Sequence, residues 1–137
     1  MKFASLKNGR RDGALVLVSS DLKKAVPAEG IAATLLEALE EWPKVQPQLK
    51  ALSDKLNAGQ ALGAFDFEQC QLESPLPRTF QWCDGSAYLN HAELVRKARN
   101  AEMPEQLYHD PMLYQGASDS FIGPRDPILV AKSEWGI

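Results

Sequence analysis

The chain lacks a basic excess, a long apolar run and a cysteine framework, and each absence excludes a class of protein. Its 137 residues contain fifteen Lys and Arg against eighteen Asp and Glu, for a formal net charge of −3. Proteins that bind nucleic acid neutralise phosphates with a clear basic excess, so we expect no nucleic-acid partner. No segment approaches the ~20 apolar residues of a membrane-spanning helix, and we expect no membrane association.

Cysteine is also scarce. Cys70 and Cys83 are the two cysteines, and they lie outside any C-x-x-C pattern, so they predict no disulfide framework. Residues 1–7 become charged again too soon to contain the apolar core of a secretory signal. We therefore expect a cytoplasmic globular protein, and the length suits one domain or a small lobe with the start of another.

The first part of the chain has the periodicities of a small α+β domain. Residues 2–6 alternate polar and apolar side chains, and residues 14–19 form a short apolar run rich in β-branched side chains. Residues 21–26, before Pro27, indicate a third strand. Together they predict a small antiparallel β meander.

Helical spacing follows from residue 31. Thr34 and Glu37 fit a capping box at the start of a first helix, which we expect to end at Pro43. A second helix is predicted by apolar side chains at i, i+4, i+7 and i+11, namely Val45, Leu49, Leu52 and Leu56. We interpret both helices as core elements, with an amphipathic docking helix as the alternative. A proline-stiffened connection then predicts a domain boundary at residue 78, dividing the chain into 1–78 and 79–137.

Residues 80–101 are the first segment whose residue types suggest chemistry. Residues 80–83 resemble a short strand, and residues 84–86 resemble a turn that opens a helix. On such a helix Asp84 and His91, seven residues apart, would lie on one face at an axial separation of ~10 Å. That arrangement suits a metal-binding carboxylate with an imidazole acting on water. The alternatives are a helix N-cap for Asp84 and an ordinary surface histidine.

Residues 103–127 combine prolines, glycines and large apolar side chains, a composition typical of ordered loops that line sites or of packed irregular connections. His109 and Asp110 are adjacent on a loop before a proline, so we discount them as a metal-ligand pair.

Taken together, four segments resemble the fumarylacetoacetate hydrolase family, in the bacterial branch with a small N-terminal domain. They are residues 2–13, residues 81–88 (Gln-Trp-Cys-Asp-Gly-Ser-Ala-Tyr), residues 90–99 and residues 110–116. The resemblance covers essentially the whole chain. It implies an N-terminal domain over residues 1–78 and, over residues 79–137, the first strand, helix and loops of a mainly-β catalytic domain.

The resemblance also implies a function. Family members cleave carbon–carbon bonds in β-diketo or acylpyruvate-type acids, as in aromatic catabolism, and use a divalent metal, usually Mg²⁺ or Ca²⁺. Asp84 matches the first metal-binding carboxylate, His91 the general base that deprotonates water, and Tyr114 a tyrosine that contacts substrate. The resemblance further implies a small diketo-acid substrate and a homodimer for the intact enzyme.

Three departures qualify these expectations. Where members specific for fumarylacetoacetate carry a tyrosine and an arginine, this chain has Ser86 and Asn100. The acylpyruvase-like branch has a glutamate where this chain has Leu94. The family's Glu-x-Glu pair and further aspartate have no counterpart in the sequence, and Glu134 stands alone.

The sequence therefore predicts the N-terminal portion of a longer enzyme that is inactive by itself and binds no metal usefully. The alternatives are a stand-alone binding or interaction module derived from the family, and an unrelated α+β adaptor. We further expect apolar side chains near the end of the chain to be exposed and to drive association, namely Phe121, Ile122, Ile128, Leu129 and Val130.

Overall fold

The structure is a computed structural model that describes residues 1–135 and divides into two compact units. The N-terminal unit contains Met1–Arg78 together with the segment that begins at Asp119. The hairpin unit contains Thr79–Ser118. Gly136 and Ile137, which close the predicted domain 79–137, lie outside the described residues.

The N-terminal unit is built on a four-stranded antiparallel sheet in the order β1-β2-β3-β4. Its strands are β1 (Lys2–Leu6), β2 (Ala14–Val18), β3 (Lys24–Pro27) and β4 (Phe65–Asp66), and its helices are α1 (Leu35–Glu40) and α2 (Trp42–Asn57). The α+β class, the β meander and the two helices are confirmed. The two-residue strand β4, which pairs with β3, is an addition to the prediction.

The central strand β2 is buried on both faces, which explains its continuous apolar run. Leu15 and Leu17 pack with α1 and α2, whereas Val16 and Val18 pack on the opposite face with Phe65 and other side chains. The sheet therefore has a helix-covered face and a second face covered by the segments around β4.

The first helix begins as predicted and ends earlier. The Thr34 hydroxyl accepts a hydrogen bond from the Glu37 backbone N–H at 3.1 Å, and the Glu37 carboxylate reaches back to the Ala33 N–H at 2.8 Å. The prediction that Pro43 ends this helix is wrong, because α1 stops at Glu40 and Pro43 lies in the first turn of α2. Proline is tolerated there since its missing N–H would have no partner in a first turn.

The segment that begins at Asp119 returns to the N-terminal unit. The Phe121 N–H donates to the Pro77 carbonyl at 2.8 Å, and the Arg125 guanidinium donates to the Glu68 carbonyl at 3.0 Å. Lys7 forms an ion pair with Asp126. The division of domains at residue 78 stays a prediction.

Four of the five apolar side chains predicted near the end of the chain are exposed. Ile122, Ile128, Leu129 and Val130 are the exposed ones, whereas Phe121 is half-buried. Their exposure is confirmed, and association through them stays a prediction. Among residues 1–135, no helix is both long enough and apolar enough to span a bilayer.

The hairpin unit consists of β5 (Trp82–Ser86), α3 (Leu89–Ala98), a 3-10 turn at Glu105–Tyr108 and β6 (Met112–Gly116). Strands β5 and β6 form a separate two-stranded antiparallel sheet. Ala92 on α3 is the one buried residue of this unit, so its apolar core is small.

We predict that the N-terminal unit loses stability in acid through Asp12. The Asp12 carboxylate accepts two hydrogen bonds from the Arg78 guanidinium, at 2.6 and 2.8 Å, and this pairing lowers the pKa of Asp12. Because the folded pKa lies below the unfolded value of about 3.9, the pair stabilises the fold above that pH and its contribution disappears as pH falls through the folded pKa. When the pH is lowered from about 6 to about 3, the urea midpoint of unfolding should therefore fall less in Asp12→Asn than in the wild type.

The matched control is Asp54→Asn, which removes a carboxylate from an exposed i,i+4 pair with Lys50 on α2. We expect its acid dependence to follow the wild type. If the urea midpoint became equally insensitive to acid in both variants, the Asp12–Arg78 pair would have no specific effect on acid unfolding.

Candidate active site

Strand pairing places Asp84 and Tyr114 side by side. Asp84 is the middle residue of β5, and its partner across the ladder is Tyr114, the middle residue of β6. Directly opposed residues project to the same face of a sheet, with Cβ atoms about 4.5–5.5 Å apart. Two of the three residues matched by the resemblance are therefore neighbours although thirty positions separate them in the chain.

The two-residue period of a strand adds four further residues to this face. We call it the Asp84 face, and it is formed by Trp82, Asp84, Ser86, Met112, Tyr114 and Gly116. Asp84 is its one carboxylate. Asp84 is exposed and Tyr114 is 66% exposed, so both are open to water or a ligand.

An aromatic contact with Trp82, at one end of the Asp84 face, supports Tyr114 at the centre of that face. The rings of Trp82 and Tyr114 meet edge to face, with centroids 6.1 Å apart and an interplanar angle of 78°. The indole lies over Gly116, where an added Cβ would come within 2.6 Å of Trp82 Cε3 and 3.3 Å of Tyr114 Cε1. Glycine at this position is what allows the two rings to meet.

Helix α3 brings His91 to the other end of the same face. His91 is exposed in the first turn of α3 and borders a cleft of about 180 Å³. Ser86 and Met112, the cross-strand pair at that end of the Asp84 face, line the same cleft. The structure thus gathers Asp84, His91 and Tyr114 within one small unit, while their roles stay predictions.

The predicted local structure around Asp84 is wrong. Asp84 does not open a helix, because β5 continues through Asp84, Gly85 and Ser86, and α3 begins at Leu89. Asp84 and His91 therefore do not share a helix face. The turn-like residues stay extended because β6 pairs with them across the ladder. A pairing partner distant in sequence outweighs the local turn signal here.

The described residues do not fit a Mg²⁺ or Ca²⁺ site by themselves. Among residues 1–135, no group of three or more His, Cys, Asp and Glu side chains is placed to hold an ion. These cations take six or more oxygen ligands, shared between protein, substrate and water. Asp84 supplies one carboxylate on its face, so no catalytic step through a metal can be built from these residues.

Sequence reasoning missed four residues of this site. Trp82 and Gly116 position Tyr114, and Arg96 and Arg99 line the cleft beside His91. A period-two reading of Trp82, Asp84 and Ser86 as a strand would have placed these three side chains on one face. Whether Arg96 and Arg99 line the cleft depends on which face of α3 meets the strands, and local sequence patterns do not show that.

Comparison with known proteins matches nearly the whole chain to two family profiles. Residues 1–78 match the fumarylacetoacetase N-terminal domain 2, and residues 81–137 match the C-terminal domain of fumarylacetoacetate (FAA) hydrolase. No curated protein matches the chain.

We predict that Gly116→Ala separates the rings of Trp82 and Tyr114. A methyl group at 2.6 Å from the indole forces the indole to move, and overpacking of this kind typically costs about 1–3 kcal/mol. Nuclear Overhauser contacts between the two rings should disappear from the spectrum, and the hairpin unit should unfold at lower urea concentration.

Gly85→Ala is the matched control on the opposite strand. Its added methyl would meet Leu113 at an ordinary 3.5 Å, so both the ring contact and the urea midpoint should persist. If the ring contact persisted in Gly116→Ala, the conclusion that glycine at position 116 allows the two rings to meet would be wrong.

Proposed function

This chain belongs to the fumarylacetoacetate hydrolase family, and from that premise we propose that it supplies part of the active site of a hydrolase. The proposed reaction is metal-dependent cleavage of a carbon–carbon bond in a β-diketo or acylpyruvate-type acid. The observation that carries the proposal is the pairing of Asp84 with Tyr114 on a face whose end borders the His91 cleft.

His91 is the proposed general base. Its neutral imidazole has a nitrogen lone pair that can accept a proton from water while the water oxygen bonds to a substrate carbonyl carbon. The exposure of His91 and the cleft in front of it leave room for both water and substrate. These features support His91 over His109, which lies in the hairpin unit 3.6 Å from the Glu105 carboxylate.

Tyr114 is the proposed substrate contact. Its phenol hydroxyl can donate a hydrogen bond to a carbonyl oxygen as negative charge develops there. The edge-on contact with Trp82 limits the positions that the ring can take, so the donor is positioned before substrate arrives.

Asp84 is the proposed contribution of this chain to a metal site. A divalent ion bound there would polarise the substrate carbonyl. Because the described residues do not complete such a site, we propose that the 137-residue chain alone binds Mg²⁺ weakly and has no hydrolase activity.

The proposal predicts that His91→Gln nearly abolishes turnover in the product of the complete reading frame. Cleavage of acetylpyruvate and of related β-diketo acids is followed by loss of the diketo absorbance with Mg²⁺ present. Loss of a general base typically lowers kcat by about 10²–10⁴-fold. His109→Gln is the matched control and should change kcat by less than about twofold, as expected of a surface substitution.

The outcomes separate the candidate functions. Absence of cleavage by the wild type on every β-diketo acid would contradict the hydrolase and favour a non-catalytic binding module derived from the family. If kcat fell equally in the two histidine variants, His91 would not be the general base. Micromolar, stoichiometric Mg²⁺ binding to the 137-residue chain in calorimetry would overturn the proposed weak metal binding.

A further inference from the structure

The chain is anchored where it leaves the N-terminal unit and again where it returns. It leaves that unit after Arg78 and returns to it at Asp119. The Arg78 guanidinium is held by its bidentate pair with Asp12, in the turn between β1 and β2. On the returning segment, the Phe121 N–H donates to the Pro77 carbonyl at 2.8 Å. The leaving and returning segments are therefore joined to each other within the N-terminal unit.

The returning segment continues into a turn that one carboxylate stabilises. We call residues 121–126 the strap. The Asp126 N–H donates to the Gly123 carbonyl at 3.1 Å, and Pro124 occupies the second position of this turn, where its fixed φ is favoured. Asp126 Oδ2 in return accepts a hydrogen bond from the Gly123 N–H at 2.8 Å. Two reciprocal bonds thus hold the shape of the turn.

The other oxygen of the same carboxylate fastens the turn to the N-terminal unit. Asp126 Oδ1 pairs with the Lys7 ammonium, and the Lys7 N–H donates to the Gln71 carbonyl at 3.0 Å. The side-chain hydrogen bond from Lys7 lowers the pKa of Asp126 below its ordinary value, so the carboxylate is ionised at neutral pH. Lys7 directly follows β1, and it therefore links the end of that strand to the strap.

Gly123 lets the strap approach the backbone of the N-terminal unit closely. Gly123 is buried, and a Cβ added to it would lie 2.1 Å from the Leu72 carbonyl oxygen and 2.9 Å from Asp126 Oδ2. Its φ lies outside the positive region, so glycine is required here by the close approach and not by the backbone conformation. The strap is therefore seated by shape as well as by charge.

The bond at the start of the strap agrees with the register of the hairpin ladder. Pro77 lies five positions before Trp82, and Phe121 lies five positions after Gly116, the cross-strand partner of Trp82. Continued outward, the β5–β6 register would therefore set Pro77 opposite Phe121. Proline has no N–H, so such a pair can exchange only one bond, from Phe121 to the Pro77 carbonyl, and this is the bond observed.

One further bond lies between this anchored pair and the ladder. The Thr79 N–H donates to the Ser118 carbonyl at 2.7 Å, one residue short of Asp119, which the continued register would set opposite Thr79. Four residues on each segment, 78–81 and 117–120, separate the anchored pair from the ladder and contain this one irregularity. A slip of the ladder by one residue, ~3.4 Å, would require a second irregularity or release of the strap.

We propose that the strap fixes the register of β5 and β6, with Gly123 and Asp126 as positioning residues for the Asp84 face. The strap acts through the covalent chain, by holding Phe121 opposite Pro77. The hairpin unit has little burial to support its own register, since Ala92 is its one buried residue. Register exists with or without turnover, so this role goes beyond the proposed reaction and does not depend on it.

The test is NMR on the isotope-labelled 137-residue chain carrying Gly123→Ala. The added methyl cannot lie 2.1 Å from the Leu72 carbonyl oxygen, so the strap must leave its seat. The amides of Phe121 and Asp126 should then exchange with solvent at least about tenfold faster. The amides of the β5–β6 ladder should exchange faster as well. Overhauser contacts between the rings of Trp82 and Tyr114 should weaken, because a slip of one residue sends the two rings to opposite faces.

Asp126→Asn and Asp119→Asn form the matched pair of variants. Each removes one carboxylate from the returning segment, but Asp119 is exposed and lies outside the strap. Asparagine at 126 can still accept the Gly123 N–H, so this variant removes the charge that pairs with Lys7. We expect amide exchange at Phe121 to become about two- to fivefold faster, the range for one ion pair, with the ladder amides responding in proportion. Asp119→Asn should follow the wild type.

Substitution of the cation provides the conservative variant. Lys7→Gln should reproduce the faster exchange of Asp126→Asn, whereas Lys7→Arg keeps the charge and should restore the slower exchange.

Three results would overturn the proposal. The first is faster exchange at Phe121 and Asp126 with an unchanged ladder and ring contact, which would make the strap a local tether only. The second is unchanged exchange at Phe121 and Asp126 in Gly123→Ala. The third is an equal response of Asp126→Asn and Asp119→Asn. Should Gly123→Ala fail to fold, the two asparagine variants still decide, through whether the strap and ladder amides respond together.

Discussion

Pairing of β5 with β6 is the constraint on which the candidate site depends. Register alone makes Asp84 and Tyr114 neighbours, and a slip of one residue would send one of them to the opposite face. The same register sets Trp82 opposite Gly116, where the absent side chain admits the indole. One ladder of five residue pairs therefore positions the carboxylate, the phenol and the ring that supports the phenol.

That ladder has little support from burial. An isolated two-stranded hairpin is marginally stable in water, and Ala92 is the one buried residue of the hairpin unit. The N-terminal unit differs, since its strand β2 has apolar neighbours on both faces and Leu17 and Leu49 are fully buried. The candidate site thus lies on the unit with the smaller buried core, as is common where a site must admit water and ligand.

How much could be predicted from the sequence follows from the range of the interactions involved. The capping of α1 by Thr34 and the apolar stripe of α2 depend on residues three or four positions apart, and both are confirmed. The structure of residues 84–86 depends on a partner strand about thirty positions away, so a local reading as a turn failed. Strand β6 was not predicted for the same reason, because the prolines and glycines of its segment indicate a loop.

The order of groups along the hairpin makes the two ends of the candidate site chemically different. The Trp82 indole occupies one end of the Asp84 face, the Asp84 carboxylate and the Tyr114 phenol lie at its centre, and the His91 cleft borders its Ser86 end. With a rise of about 3.4 Å per residue, Asp84 and Ser86 lie ~7 Å apart along β5.

The groups of the Asp84 face and of the cleft beside it come from two strands and one helix of a single unit. Because strand register decides which side chains share a face, a change in the β5–β6 register would alter the whole candidate site.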